Sequence, residues 1–429
     1  MTRPLVAFAG MTHLGLVSGV AAAEKGFKVV CYDPAAARIA ALQKRDLPVS
    51  EPQLEHLVVK NAERLAFTAD AAELRACDVI YVAPDVPTDE RGASDLGPID
   101  ALLARVFDAA RPGAVIVVLS QVPPGFTRGL AFPPERLFYQ VETLVFGRAV
   151  ERALKPERFI VGCVAPEKPL PKAYVRFLAA FGCPILPMRY ESAELAKIAV
   201  NCCLAGSVSV ANTLAELCER IGAVWSEITP ALRLDERIGP HAYLAPGLGI
   251  AGGNLERDLA TVVRLAEENG TDAGVVKAWI ANSRHRRDWA ARTIKVALLD
   301  KKPDAIVAVW GLAYKENTDS VKNSPSLATI AQLPGMQLRL HDPVVPAASA
   351  NRPGAVAAAN PLEAAKGADA LMILTPWPQY RKIAPARLAS AMRGRVVLDP
   401  YGVLEPKAAA KAGLELHSLG RPAMKVANA

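Results

Sequence analysis

The sequence lacks several features that would place the chain in a specialised class. Its seven cysteines form no CxxC pair and no Cys/His spacing typical of a metal site, so we expect no bound metal. The odd number of cysteines, in apolar surroundings, indicates free thiols in a reducing compartment. No basic run is interleaved with aromatic residues, and acidic residues are interspersed throughout despite a net charge of +7. Binding to nucleic acid is therefore not expected.

Long apolar runs are also scarce. Residues 5–23 resemble a secretory leader, because they are apolar after Arg3 and end in three alanines. His13 and three glycines interrupt this run, however, so a strand, a turn and a helix explain it better. No other run approaches the length of a membrane span. We expect a cytoplasmic protein without membrane contact.

The order of secondary structure indicates several domains, since 429 residues are too many for one compact core. The first third alternates buried strands with helices, which predicts a parallel sheet covered on both faces. The predicted strands are 5–9, 28–32, 78–83 and 114–119. The predicted helices are 14–25, 35–43 and 99–110.

The rest of the chain is helical first and then returns to the alternating pattern. Helical periodicity dominates 192–222 and 273–299, and strands are predicted at 306–310, 337–341, 370–374 and 396–399. We therefore predict an α/β protein with two Rossmann-like parallel-sheet domains joined by a helical central domain. The expected bounds are 1–190, 191–300 and 301–429. The central helix is long enough to form a homodimer interface.

A glycine turn between the first strand and the first helix predicts an NAD site. In dinucleotide folds the first glycine allows the turn, the second admits the pyrophosphate and the third lets helix pack on strand. Thr12 replaces the second glycine, so its Cβ crowds the pyrophosphate although its hydroxyl can donate to it. Asp33 ends the next strand, where a carboxylate binds a ribose diol. A structural turn without a ligand is the alternative. The predicted residues are Gly10, Thr12, His13, Leu14, Gly15 and Asp33.

Two further motifs indicate a polar site. Lys197 and Asn201 lie four residues apart on an otherwise apolar helix, so they share one face. A lysine in that position can stabilise an oxyanion, and the amide can orient a water or hydroxyl. Two solvated surface side chains are the alternative. The stretch 246–253 is rich in glycine and precedes Asn254, a good helix N-cap; taken alone, it favours a simple turn.

The order of these motifs resembles the UDP-glucose/GDP-mannose dehydrogenase family along almost the whole chain. The segments 49–57, 88–96, 192–219, 235–240, 246–253 and 310–325 are similar to family motifs in the family's order. The resemblance implies an NAD-dependent enzyme that oxidises a nucleotide-sugar alcohol to an acid in two steps. In that family a cysteine in a GGxCFPKD-like loop holds the intermediate aldehyde as a thiohemiacetal.

The resemblance also implies roles for individual residues. Lys197 and Asn201 match the pair that stabilises the oxyanion, Asp258 matches the aspartate of the cysteine loop, and Glu142 matches a glutamate that assists hydrolysis. Pro87 and Gln121 match positions beside the coenzyme. The residues matched to substrate contacts, one of them reaching a neighbouring subunit, are Arg237, Gly252, Gly253, Asn254, Lys315 and Lys322.

The sequence departs from the family at positions that take part in the family's reaction or contact its substrate. The cysteine loop is one residue shorter, and Leu255 stands at the position of the nucleophile. Gln121 replaces a threonine, Phe146 replaces a glutamate and Lys322 replaces an arginine. Cys202 and its neighbour lie on an apolar helix, where buried thiols are inert.

These departures favour an NAD-dependent oxidoreductase that performs only the first, two-electron oxidation and releases an aldehyde or ketone. Three alternatives remain open at this stage. The first is a full acid-forming dehydrogenase with another nucleophile. The second is a non-catalytic NAD- or nucleotide-binding relative that acts as a regulator or partner. The third is a hydroxyacid dehydrogenase, against which the second α/β domain argues.

Overall fold

The computed structural model describes residues 3–87, 93–251 and 254–424, with Asn254 described only as backbone. Its contacts divide the chain into two compact units, Met1–Val200 and Asn201–Ala429. Each unit has its own sheet.

The first unit is built on an eight-stranded sheet in the order β3-β2-β1-β4-β5-β6-β7-β8. All neighbouring strands are parallel except β6 and β7. The strands are β1 Val6–Ala9, β2 Val29–Tyr32, β3 Leu65–Thr68, β4 Val79–Val82, β5 Val115–Val118, β6 Leu137–Gln140, β7 Phe159–Cys163 and β8 Ile185–Arg189. The order reverses at β1, and ligands of such sheets bind at the carboxyl ends of the strands beside this point.

Helices cover both faces of this sheet, because successive side chains of each strand point to opposite sides. In β1, Val6 and Phe8 belong to one buried cluster, whereas Ala7 and Ala9 belong to the other. The helices are α1 His13–Glu24, α2 Ala36–Gln43, α3 Leu54–Lys60, α4 Gly97–Ala109, α5 Ala149–Leu154 and α6 Lys172–Ala179, followed by α7 Tyr190–Ile221, which continues into the second unit.

The 32-residue α7 is long and apolar enough to cross a membrane by length and composition alone. A core helix of a folded protein passes the same test. In the first unit Glu194 is fully buried and the side chain of Lys197 is only 12% exposed, and both make specific polar contacts. We therefore interpret α7 as a helix of the folded protein.

The second unit begins with helices and ends with a six-stranded, all-parallel sheet in the order β11-β10-β9-β12-β13-β14. Its helices after α7 are α8 Trp225–Leu234, α9 Asn254–Glu268, α10 Gly274–Arg287, α11 Trp289–Ile294, α12 Pro325–Ala331, α13 Pro361–Ala365, α14 Pro385–Ala391 and α15 Pro406–Lys411. The strands are β9 Ile306–Trp310, β10 Gln337–His341, β11 Val356–Ala357, β12 Ala370–Ile373, β13 Val396–Leu398 and β14 Glu415–His417.

This architecture confirms the predicted α/β class with two parallel sheets and helices between them in the chain. One predicted element differs: the helix expected over 273–299 is interrupted at Asp288, and its last turn, Lys295–Leu299, is π-helical. The Asp288 side chain accepts a hydrogen bond at 2.7 Å from Gln332, the residue that caps the C-terminus of α12. The interruption therefore coincides with a contact to the second sheet's first helix.

Candidate active site

The glycine turn after β1 has the geometry of a nucleotide-binding turn. Gly10 has a φ of +95°, and a Cβ on it would lie 2.7 Å from the nitrogen of Pro84, so no other residue fits. A Cβ on Gly15 would lie 1.9 Å from the carbonyl oxygen of Gly10. The two glycines thus place the N-terminus of α1 against the carboxyl ends of β1 and β4.

Asp33 lies beside this turn, directly after β2, and is 2% exposed. Its carboxylate accepts hydrogen bonds from the amides of Met11 and Ala35 at 2.8 and 2.9 Å, and from the guanidinium of Arg38 at 2.7 Å. A carboxylate offers about four acceptor positions, so these three donors leave one for a ribose hydroxyl. The turn, the helix N-terminus and Asp33 therefore fit NAD.

Thr12 and His13, at the start of α1, both contact Asp85, which follows β4. The Thr12 hydroxyl oxygen accepts a hydrogen bond from the Asp85 amide at 2.8 Å, and the His13 amide donates to the Asp85 carboxylate at 3.2 Å. The hydroxyl keeps its own proton for an acceptor such as a phosphate. Asp85 was missed by sequence reasoning, because nothing in the sequence shows that the loop after β4 returns to α1.

The side chains of His13 and Leu14 are engaged within the protein. The His13 Nε2 lies 3.0 Å from the buried carboxylate of Glu51, and the ring stacks on Phe146 with 4.3 Å between centroids. Leu14 is buried and lines a small cavity together with Glu142. Both residues shape the turn, and their predicted role toward the coenzyme remains a prediction.

Pro87 and Gln121 lie on the loops after β4 and β5, at the same edge of the sheet. The carbonyl of Pro87 accepts a hydrogen bond from the Asp95 amide at 2.9 Å. Gln121 follows Ser120, whose hydroxyl donates to the carbonyl of Pro84 at 2.5 Å. This bond ties the two loops together. Residues 88–92 of the acidic loop lie outside the described residues.

Glu194 on α7 is a second residue that sequence reasoning missed. It is fully buried, and its carboxylate accepts hydrogen bonds from the amides of Gly125 and Thr127 at 2.6 and 2.9 Å. Burial raises the pKa of Glu194, and these two donors oppose the shift. Glu194 therefore fixes the turn that follows Gln121. Its only signal in the sequence is an acidic residue on an apolar helix.

Lys197, one turn further along α7, forms an ion pair with Glu142. The Lys197 Nζ lies 2.7 Å from the Glu142 Oε1, and the two side chains are 12% and 14% exposed. The other oxygen of Glu142 accepts the amide of Leu144 at 2.8 Å, which fixes the carboxylate. The structure thus joins two residues to which the resemblance assigns catalytic roles.

Asn201 and Asp258, in the second unit, are joined by a hydrogen bond between their side chains. The Asn201 amide donates to Asp258 Oδ2 at 2.5 Å, and Asp258 is 1% exposed. The Arg257 guanidinium donates to the other oxygen at 3.1 Å. Asn201 follows Lys197 by four residues in the sequence of α7. A lysine–carboxylate pair can hold an oxyanion and exchange its proton, and an amide–carboxylate pair can orient a hydroxyl.

The substrate loop has no thiol at the expected position. Gly252 and Gly253 lie outside the described residues, as does the side chain of Asn254. Leu255 is half-buried and packs on an apolar cluster with Ala205, Ile250, Leu259 and Val276 as its buried members. Burial, followed by the nearby Asp258 carboxylate, raises the pKa of the Cys202 thiol to about 11, so a thiolate is strongly disfavoured.

The predicted substrate residues Arg237, Lys315 and Lys322 are spread over the second unit. The Arg237 side chain is 89% exposed and pairs with Asp235, whereas Lys315 lies over the ring of Tyr314 at 5.5 Å. Lys322 is exposed in the loop before α12.

Glu256 and Asn323 add a contact between α9 and this loop. The Asn323 amide donates to the Glu256 carboxylate. Burial raises the pKa of Glu256, and the charges of Arg287, Arg284 and Lys322 oppose the shift.

A second glycine–aspartate arrangement lies in the second sheet. Gly311, after β9, has a φ of +96°, and a Cβ on it would lie 2.3 Å from the Cβ of Thr375. Asp342, after β10, accepts hydrogen bonds from the amides of Leu312 and Ala313 at 2.6 and 3.1 Å. In each sheet a backbone turn and a carboxylate therefore lie at the point where the strand order reverses.

Comparison with known sequences places three domains along the chain. Models of the UDP-glucose/GDP-mannose dehydrogenase family match it in order: the NAD binding domain over residues 5–173, the central domain over 191–284 and the UDP binding domain over 308–406.

Individual relatives match over nearly the whole length. A UDP-glucose 6-dehydrogenase of Pseudomonas aeruginosa is 31% identical over 96% of each chain. The UDP-glucose 6-dehydrogenase TuaD of Bacillus subtilis is 30% identical over 98% of this chain and 94% of its own. The solved structure of a UDP-glucose dehydrogenase from Pyrobaculum islandicum, 26% identical, matches with a TM-score of 0.81 over 99% of this chain and 96% of that one.

Proposed function

Because the chain belongs to the UDP-glucose/GDP-mannose dehydrogenase family, we propose that it oxidises one alcohol of a nucleotide sugar to an aldehyde or ketone in a single two-electron step. The family, the NAD cofactor and the class of enzyme, an NAD-dependent dehydrogenase, are confirmed by the comparisons. The extent of oxidation is our proposal.

The lack of a usable thiolate in the substrate loop supports a single oxidation. A second oxidation through a thiohemiacetal needs a thiolate that adds to the aldehyde. Leu255 packs into an apolar cluster instead, and the pKa of Cys202, raised to about 11, keeps its sulfur protonated at neutral pH. Without covalent capture the carbonyl product is free to leave after one hydride has been removed.

The Lys197–Glu142 pair supplies the acid–base chemistry in this proposal. NAD, held by the turn of Gly10 and Gly15 and by Asp33, would supply the acceptor for a hydride from the alcohol carbon. The Lys197 ammonium hydrogen-bonds the alcohol oxygen and stabilises the charge that develops on it. The hydroxyl proton passes to the pair, where the Glu142 carboxylate is the final acceptor. Atoms balance, because the alcohol loses one hydride and one proton and becomes a carbonyl.

Asn201 and Asp258 are positioning residues in this proposal. Their mutual hydrogen bond and the Arg257 contact hold the Asp258 carboxylate in one orientation. We assign Lys315, Lys322 and Arg237 to the diphosphate and sugar of the substrate, with Gly252, Gly253 and Asn254 in the enclosing loop. The resemblance implies that Arg237 acts in a neighbouring subunit, and its exposure is compatible with that role.

A homodimer through α7 is also part of the proposal. Val210, Leu214, Leu217 and Ile221 are 55%, 40%, 51% and 64% exposed, and their spacing places them along one face of the helix. An apolar stripe of this kind marks an interaction surface. The free state of the cysteines supports a cytoplasmic location. The bounds 1–190, 191–300 and 301–429 remain our proposed domain division.

Counting NADH tests the extent of oxidation. A limiting amount of each of several UDP- and GDP-sugars is incubated with excess NAD, and semicarbazide is added to trap a carbonyl product only after NADH formation has stopped. We expect one NADH per sugar nucleotide with the true substrate. Two NADH per molecule, with an acid as product, would refute the two-electron proposal.

A second candidate function is a non-catalytic NAD- or nucleotide-binding relative that regulates a partner. The observation that favours it is the Asp85 carboxylate on the His13 amide, at the N-terminus that attracts the coenzyme phosphates. NAD binding by calorimetry without turnover of any sugar nucleotide would support this candidate, whereas turnover of any of them excludes it.

A further inference from the structure

The loop after β4 places a negative charge on the coenzyme turn. Asp85 makes two bonds with the start of α1: its amide donates to the Thr12 hydroxyl oxygen at 2.8 Å, and its carboxylate accepts the His13 amide at 3.2 Å. The Ser120 hydroxyl holds the preceding carbonyl of Pro84 at 2.5 Å. Asp85 is thus fixed from both sides although it is exposed to solvent.

The position matters because the first amides of α1 attract anions. Amides at a helix N-terminus lack intrahelical acceptors, and the helix dipole adds about half a positive charge there. In dinucleotide folds this end of the helix binds the pyrophosphate. One of these amides is already used by a carboxylate of the same chain.

We propose that Asp85 is an internal competitor for the coenzyme diphosphate. The diphosphate and the Asp85 carboxylate are both negative and require the same helix end, so NAD binds only as Asp85 leaves the His13 amide. Thr12 takes part, since its hydroxyl holds the amide of Asp85 in the competing position. The consequence is a weaker and faster-exchanging coenzyme complex than the glycine turn alone would form. This inference rests on NAD binding and not on the extent of sugar oxidation.

Binding measurements with Asp85→Asn test the proposal without any turnover. Asparagine has the same size and retains one acceptor oxygen for the His13 amide, but it removes the negative charge and replaces the second oxygen by an NH2 donor. Calorimetry compares NAD and ADP-ribose, which contain the diphosphate, with adenosine, which lacks it. We expect Kd for NAD and ADP-ribose to fall about tenfold, the size of one charge-assisted hydrogen bond, and Kd for adenosine to stay unchanged.

The matched control is Asp108→Asn, which removes the same charge from the exposed last turn of α4, before β5 begins. It should leave all three Kd values unchanged. Unchanged or weaker binding of ADP-ribose to Asp85→Asn overturns the proposal, as does equal tightening for adenosine, which would indicate a general opening of the pocket.

A second variant covers the case in which Asp85→Asn does not fold. Asp85→Ala removes the whole carboxylate and leaves the Thr12 hydroxyl in place for the diphosphate. We expect ADP-ribose to bind this variant about tenfold more tightly as well, because no side chain at residue 85 then occupies the His13 amide. A Kd for ADP-ribose equal to or above that of the parent protein overturns the proposal.

Discussion

Replacing Lys197 by methionine removes the charge of the Lys197–Glu142 pair while keeping most of the apolar volume. At the observed 2.7 Å the attraction between the two charges is about 6 kcal/mol for an effective dielectric constant near 20. Much of this offsets the cost of removing both groups from water, so the net loss of stability is smaller. We expect the free energy of unfolding to fall by about 3 kcal/mol, because Glu142 is left largely buried without its partner.

The effect on catalysis should exceed the effect on stability. Loss of the group that stabilises the developing oxyanion lowers kcat by about 10²–10³-fold. Stopped-flow absorbance of NADH at saturating substrate measures this change, and chemical denaturation measures stability at the same temperature. NAD affinity should not change, since the ammonium acts on the alcohol oxygen.

Lys172→Met is the matched control, because Lys172 is exposed at the start of α6 in the same unit. It should retain both kcat and stability. If Lys197→Met is stably folded and keeps more than a third of the parent kcat, the catalytic site has been assigned to the wrong residues.

Other predictions concern the thiols and the second sheet. Leu255→Cys should still yield one NADH per substrate, because residue 255 packs into an apolar cluster, and two NADH, measured by absorbance, would contradict the assignment. Cys202→Ala should retain kcat, because the pKa of this thiol is raised to about 11, and an inactive variant would contradict the assignment. Hydrogen bonds from Arg393 lower the pKa of Asp369 well below its ordinary value of 3.8. The ionised carboxylate therefore stabilises the folded state fully above pH 4, and this stabilisation is lost as the pH falls towards the lowered pKa. Asp369→Asn should therefore cost about 2 kcal/mol at pH 7, and the difference from the parent protein in urea denaturation should shrink below pH 4; a constant difference from pH 7 to pH 2.5 would refute this reasoning.

The sequence predicted four of the eight strands of the first sheet, and all four are continuous apolar runs. The strands β1, β2, β4 and β5 are buried on both faces, and each was predicted to within one residue at either end. The strands β6 and β7 were not predicted although they are fully buried, and the edge strands β3 and β8 were not predicted either. The edge strands are partly exposed, and β8 contains Pro187, which a periodicity argument treats as evidence against a strand.

The candidate site was predictable in its residues but not in their pairing. The four-residue spacing of Lys197 and Asn201 fixes their common helix face, so local geometry is sufficient for that prediction. Their partners Glu142 and Asp258 are distant in the chain, and only the family resemblance indicated them. Asp85 could not be predicted, because its position depends on the path of a loop.

The contacts at the start of α7 have a consequence for the order in which the first unit folds during synthesis. The Tyr190 hydroxyl donates to the carbonyl of Leu137 at 2.7 Å, and Glu194 closes the turn at Gly125 and Thr127. A nascent chain that has emerged only to residue 190 has all eight strands but not the carboxylate that holds this turn. The loop beside Gln121 therefore acquires its final shape after the sheet, when the ribosome has released the first turns of a helix that continues into the next unit.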